Sequence, residues 1–239
     1  MQNRRLHRFT RKAHRYLGLL LGFQLLAWTL GGMYFSWTKI EHIRSEDIRA
    51  EKKAMPLNQS IGNIGSVVDS LKVASPKLAV QAIQLVEILN RPFYQIKSNV
   101  GIQLYDGYSL AYKAPLTKEE SIQVALSSLI SPAEVLEVEY LTSTSGHHEY
   151  REKPLPAYAI KIGDPFQVTV YVSTELGTVQ SYRNNAWRAF DFLWMLHTMD
   201  FWGRDNFNNW LLRAFSIFSL ITLLSGFFLY FLSSKPLKK

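Results

Sequence analysis

The 239-residue chain contains no cysteine. That absence removes disulfides, iron–sulfur clusters, cysteine–zinc sites and thiol nucleophiles in one step. An exported domain in such a chain is held by its core alone. The sequence also lacks a G-x-S-x-G elbow, an H-E-x-x-H pair and a phosphate-cradling glycine loop, the arrangements that hydrolytic and nucleotide chemistry need. No catalytic residue is assigned, and the chain reads as not an enzyme by itself. Acidic residues are missing from both ends. Residues 1–16 carry Arg4, Arg5, Arg8, Arg11, Lys12 and Arg15, and the last seven residues carry Lys235, Lys238 and Lys239, with no acid in either stretch. The net charge of +8 therefore belongs to the ends, since residues 39–209 hold 17 basic residues against all 19 acidic ones. This distribution excludes nucleic-acid binding as the main role.

Two long stretches have almost no charge. From Leu17 to Trp37 the 21 residues LGLLLGFQLLAWTLGGMYFSW hold none, enough to cross a hydrocarbon core of about 30 Å. A cleaved signal peptide would be shorter and end in small residues, whereas this run ends in Met33, Tyr34, Phe35 and Trp37. The second run, from Trp210 to Leu232, holds only Arg213, placed where it can snorkel to an interface. Six cations before the first run and three after the second predict cytoplasmic termini by the positive-inside rule. The expected layout is a cytoplasmic N-terminus over 1–16, spans over 17–38 and 210–232, a cytoplasmic C-terminus over 233–239, and about 170 residues between the spans on the periplasmic side of a bacterial inner membrane. Within that middle, Asn185–Phe201 is aromatic but interrupted by Arg188, Asp191, His197 and Asp200. Residues 185–209 are accordingly expected to form an interfacial helix and loop against the lipid bilayer, not a third span. Gly18 and Gly22 on the first span form a small-xxx-small pair through which a homodimer or a partner helix could pack.

Residues 39–184 contain a repeat. The segment PFYQIK from Pro92 recurs as PAYAIK from Pro156, an offset of 64 residues. Each copy is followed by an alternating strand pair with a turn, at Asp106-Gly107 in the first and near Glu175–Gly177 in the second. Strand-like runs, Val80–Leu89 and Val135–Thr142, lie ahead of each copy. Further upstream, each has a helical pattern introduced by Pro-Leu, at Pro56 and Pro115, the second with Thr117 and Glu120 at capping-box spacing. The expected architecture is α+β, with two helix-plus-antiparallel-sheet repeats over about 56–114 and 115–184.

In order along the chain, RKAHRYLGLLLGFQLLAWTLGGMYF, PAYAIKIGDPFQVTVYVSTELGTVQSY and FLWMLHTMDFWG resemble segments of the PepSY-associated transmembrane proteins, a family that includes iron-regulated membrane proteins and siderophore-reductase relatives. The resemblance implies PepSY modules associated with binding or regulation and, in larger relatives, haem held by membrane histidines. This chain has only two spans. A b-type haem needs axial ligands from facing helices. His14, which matches the family's histidine ahead of the first span, has no histidine opposite it on the second, so an inner site requires a homodimer or another subunit. On the outer side His42 and His197 lie near the interface. These three are the candidate haem ligands, and solvated or snorkelling interface histidines are the bland alternative. His147-His148-Glu149 lies in a polar loop with no further ligand at useful spacing, so no metal site is assigned. Two functions follow: an accessory or interaction subunit of the envelope in an iron-acquisition context, or a haem b electron-transfer subunit supporting ferric-siderophore reduction. Peptidase inhibition is suggested by the PepSY name alone and by no residue here.

Overall fold

The computed structural model describes residues 2–51, 54–55, 57 and 59–233, with side chains from 8 to 231 outside those gaps. The C-terminal lysines and the Pro56 helix start therefore lie outside the described residues. The chain forms two compact units, one built from its two ends and the other from Ile40–Trp187.

The first unit holds two helices long and apolar enough to cross a membrane: α1 (Gln2–Trp37) and α6 (Trp210–Ser233). On α1 the residues that meet neighbours are His14, Leu17, Leu21, Gln24, Trp28, Gly31 and Phe35. Their alternating spacing of three and four is the heptad stripe of a left-handed helix pair. α6 runs antiparallel along this stripe, with His14 hydrogen-bonded to Thr222 and Ser225 while Trp28 meets Phe215 at 5.2 Å. The C-terminal part of the stripe is taken by α5 (Asn185–Thr198), whose Phe190 packs on Phe35 and whose Leu196 carbonyl accepts hydrogen bonds from Gln24 and Trp28. An ion pair between Arg204 and the buried Asp191 ties the loop after α5 back to that helix. The Asp200 carboxylate accepts N–H bonds from Gly203 and Asn206, and Asn209 caps α6 through the N–H of Leu212.

The second unit begins with a short helix α2 (Ile40–Ile43) and a 3-10 turn over Glu46–Ile48. The next helix, α3 (Ile64–Ala74), starts eight residues beyond the Pro56 expectation, because the group that satisfies its first turn is the Asn63 side chain, accepting from the Gly65 N–H. Four antiparallel strands follow in meander order: β1 (Val80–Ile88), β2 (Arg91–Ser98), β3 (Gly101–Asp106) and β4 (Tyr112–Lys113). α4 (Lys118–Ser127) opens with the Thr117–Glu120 capping box, both bonds formed. A second four-stranded meander comprises β5 (Val135–Leu141), β6 (Ala157–Ile162), β7 (Thr169–Ser173) and β8 (Val179–Arg183). The repeat extends to a detail of register: the first strand of each sheet slips at the same place, Val80/Ala82 and Val135/Glu137.

The two sheets share a core. Ile88, Phe93 and Leu104 from the first pack with Leu116, Val124 and Ala125 around α4 and with Ile160, Val170 and Val172 from the second. α3 covers the opposite face of the first sheet, setting Val67 against Tyr94, Ile96 and Tyr105. The back of the second sheet is covered by residues 142–156. There Tyr150 is fully buried and stacked on Tyr171, and Glu149 accepts the Tyr171 hydroxyl and, through its backbone oxygen, the Nε of Arg183. Burial lowers the Arg183 guanidinium to about 10, so it stays charged at neutral pH, lying 4.0 Å above the Trp187 ring.

Two carboxylates of this unit carry a pH dependence. Burial alone would raise Asp106, but N–H bonds from Ser109 and Tyr108, the Ser109 hydroxyl and the Arg91 charge hold it below its ordinary value. Glu120 is likewise lowered against its burial by Lys113 and the Thr117 N–H. Both pKa values are depressed in the folded state, so their contribution is complete above the ordinary carboxylate range and lost as pH falls through the native values. The urea midpoint of the sheet signal in circular dichroism is expected to drop on acidification below about pH 4, and Asp106→Asn to make that drop shallower.

Candidate functional site

The three candidate histidines occupy three different settings. His14 is half-buried on α1. Its Nδ1 lies 2.8 Å from Ser225 Oγ and 3.1 Å from the Thr222 carbonyl, and its ring fills the space beside Gly226, where a Cβ would sit 3.1 Å from Cε1. The group facing His14 on α6 is thus a small polar notch, which a search for an opposing histidine overlooks. His197, on α5, has its ring stacked parallel to Trp194 at 6.1 Å and lies 5.3 Å from Trp28 and 6.4 Å from Phe35. Since Trp28 stands 14 residues along α1 from His14, the two histidines sit about 20 Å apart along the helix axis at 1.5 Å per residue. They do not fit the two axial positions of one haem. His42 belongs to the other unit, where Nδ1 meets Asp47 at 2.8 Å and the ring sits edge-on to Phe166. Its carbonyl accepts from Asn184, which also donates to Ser45. Within the membrane unit, then, His14 and His197 are separate sites.

The second unit presents a different kind of site at the edge of its first sheet. β1 is an outer strand nine residues long, paired among the described residues on one side only, to β2. Its free side leaves backbone N–H and C=O groups without a ladder. Side chains alternate across the sheet. Ile83 and Leu85 share the α3 face with their buried partners Ile96 and Tyr94, yet they remain 41% and 36% exposed because the sheet stops beside them. Only Glu87 in the strand is charged. The equivalent strand of the second repeat, β5, carries Glu137 and Glu139 at its centre, the charged residues that ordinarily guard an edge. The alternation of β1 is legible in the sequence. That it lies at an edge, unguarded, depends on strand order, and the contrast between VQAIQLVEI and VLEVEYL is the signal that distinguishes the two copies.

The two-helix membrane unit, the doubled helix-plus-meander domain and their order along the chain coincide with a match of the family model for the PepSY-associated TM region to residues 1–234. The chain belongs to that family. No curated protein and no solved structure gives a match. Membership in the PepSY-associated TM family establishes a membrane protein of PepSY type and agrees with the two apolar helices at the chain ends. Within that PepSY-type frame, the candidate site is the β1 edge, with His14 and His197 as separate polar features of the membrane unit.

Proposed function

We propose that this chain is an accessory subunit of the bacterial envelope, anchored in the inner membrane with both termini cytoplasmic, whose periplasmic PepSY-type domain docks a partner protein of an iron-acquisition system. The observation that carries the docking is the unguarded β1 edge. Its occupant is an extended segment of the partner that adds a strand by backbone pairing. That segment places apolar side chains opposite Ile83 and Leu85 and a cation opposite Glu87. The orientation rests on the basic residues Arg4 to Arg15 in the first turns of α1, ahead of its uncharged run. The iron-acquisition setting rests on family resemblance.

Because the chain has no native cysteine, single cysteines report cleanly. Ser145→Cys is expected to react with a membrane-impermeant maleimide in cells with a permeabilised outer membrane, and Ser36→Cys to react less. A photo-crosslinker at Gln81 is expected to trap one partner protein that a crosslinker at Glu139 does not. Ile83→Lys with Leu85→Lys is expected to abolish that product at a cost of about 1–3 kcal/mol in stability, with the sheet signal in circular dichroism retained. Crosslinking equal at both edges, or unaffected by the double substitution, would sink the docking reading. The same detergent-purified protein is expected to show no Soret band. Sharp α and β bands on dithionite reduction, lost in His14→Ala or His197→Ala, would replace this reading with that of a haem electron-transfer subunit.

A further inference from the structure

A cleft of about 410 Å³ opens in the central domain between the β1–β2 turn, the β3–β4 loop and the start of α4. This volume falls in the range of small-molecule sites, about 300–1,000 Å³. Its apolar lining includes Ile88, Phe93 and Leu116, buried members of the shared core, with Leu89 and Ala111 beside them. Four charged residues line it, and their hydrogen-bonding capacity is spent unevenly. Asp106 Oδ1 accepts from the N–H of Tyr108 and from the N–H and hydroxyl of Ser109, and Oδ2 is met by Arg91 at 2.8 Å. Both Glu120 oxygens lie 2.8 Å from Lys113 Nζ, and Oε2 also takes the Thr117 N–H. The two carboxylates are therefore engaged on both oxygens. The cations are not, since a guanidinium has five N–H donors and an ammonium three. Arg91 is 61% exposed and Asp106 is its one ion-pair partner among the described residues. The Tyr112 hydroxyl at the rim adds another group able to donate.

An apolar pocket whose unspent polar capacity is donor takes a ligand that is apolar on one side and an anionic acceptor on the other. We infer that this cleft binds an apolar carboxylate, in which a hydrophobic side chain or ring lies against Phe93 and Leu116 and the carboxylate takes the free donors of Arg91. This chemistry has two sources, a free aromatic or aliphatic acid and the C-terminal residue of a peptide. The inference is independent of strand docking at β1, and the double substitution Ile83→Lys with Leu85→Lys, which targets docking, leaves the cleft's lining residues in place.

The test is a calorimetric titration of the full chain in nanodiscs with N-acetyl-phenylalanine, its neutral C-terminal amide and acetyl-Gly-Ala-Phe. The acid is expected to bind and the amide to bind at least about tenfold more weakly, the usual scale for losing a charge-assisted hydrogen bond. Arg91→Gln is expected to weaken the acid by a similar factor. Ala111→Trp, at an exposed lining position whose backbone bonds are unaffected by its side chain, is expected to block binding with the circular dichroism spectrum unchanged. Tighter binding of the tripeptide than of the single acid identifies a peptide C-terminus as the source, and exclusion of the tripeptide identifies a free acid. Failure of the acid to bind, equal binding of acid and amide, or full binding by Arg91→Gln or Ala111→Trp would overturn the inference. Loss of the β1 crosslink alone leaves it standing.

Discussion

Tyr150→Ala is expected to lower the unfolding free energy of the central domain by about 3–5 kcal/mol, the usual cost of deleting a large buried aromatic. Tyr150 is fully buried, its ring lies parallel to that of Tyr171 at a centroid distance of 4.6 Å, and its hydroxyl donates to the Pro154 carbonyl at 2.7 Å. The same burial pushes its phenol up to about 12. Removing the ring leaves a void against Leu141, Ala157, Ala159 and Tyr171, the other buried members of that cluster. It also frees the segment that brings Glu149 to Tyr171 and Arg183. Urea unfolding followed by the sheet signal in circular dichroism measures the loss. Tyr150→Phe, which keeps the ring and deletes one hydrogen bond, is expected to cost about 1–2 kcal/mol. Similar losses in the two variants would mean that the hydroxyl, not the stacked ring, holds this segment.

Gly177→Ala is the second substitution with a large expected effect, about 2–5 kcal/mol, the sum of a backbone and a packing share. Gly177 sits in the β7–β8 turn at φ +69, a backbone region that costs a residue with a Cβ about 1–2 kcal/mol. A Cβ built there meets Ile88 Cδ1 and approaches Leu104 Cδ1 to 3.2 Å. Both neighbours are buried core residues of the first sheet, so the added methyl overpacks the contact between the repeats at about 1–3 kcal/mol more. Ile88→Val, which deletes the obstructing Cδ1, separates the two contributions. The double variant is expected to recover the packing share and retain the backbone share. A Gly177→Ala protein with wild-type urea midpoint would show that the repeats do not depend on this close approach.

Much of this fold is legible before any coordinates, for a physical reason. Its signals are local: two uncharged runs of membrane length, alternating strands, the capping box at Thr117 and Glu120, and a six-residue segment repeated at an offset of 64. The start of α3 is harder to read because Pro-Leu marks a permissible helix start without satisfying any N–H. Asn63, which does satisfy one, is a weaker signal among neighbouring serines and glycines. The role of Tyr150 is hidden for a similar reason. It lies in the polar run TSTSGHHEYREK, where the surrounding hydroxyls and charges mark a surface loop, and its burial is settled by Tyr171, twenty-one residues away and on another strand. The membrane histidines show the other limit. Sequence places His14 just ahead of the uncharged run of α1, but only packing shows that Thr222, Ser225 and Gly226 receive it. The β1 edge likewise combines a readable strand with an unreadable position in the sheet.

The covering of the second sheet by residues 142–156 bears on how the domain resists proteolysis. A long connection with neither helix nor strand is where a protease ordinarily enters, because an exposed segment can extend into its active site. Here the midpoint is bolted down by a buried ring, a carboxylate and a backbone oxygen. Cutting therefore requires local opening of the sheet's back face, and the rate of nicking at this connection becomes a clock for how often the second repeat breathes.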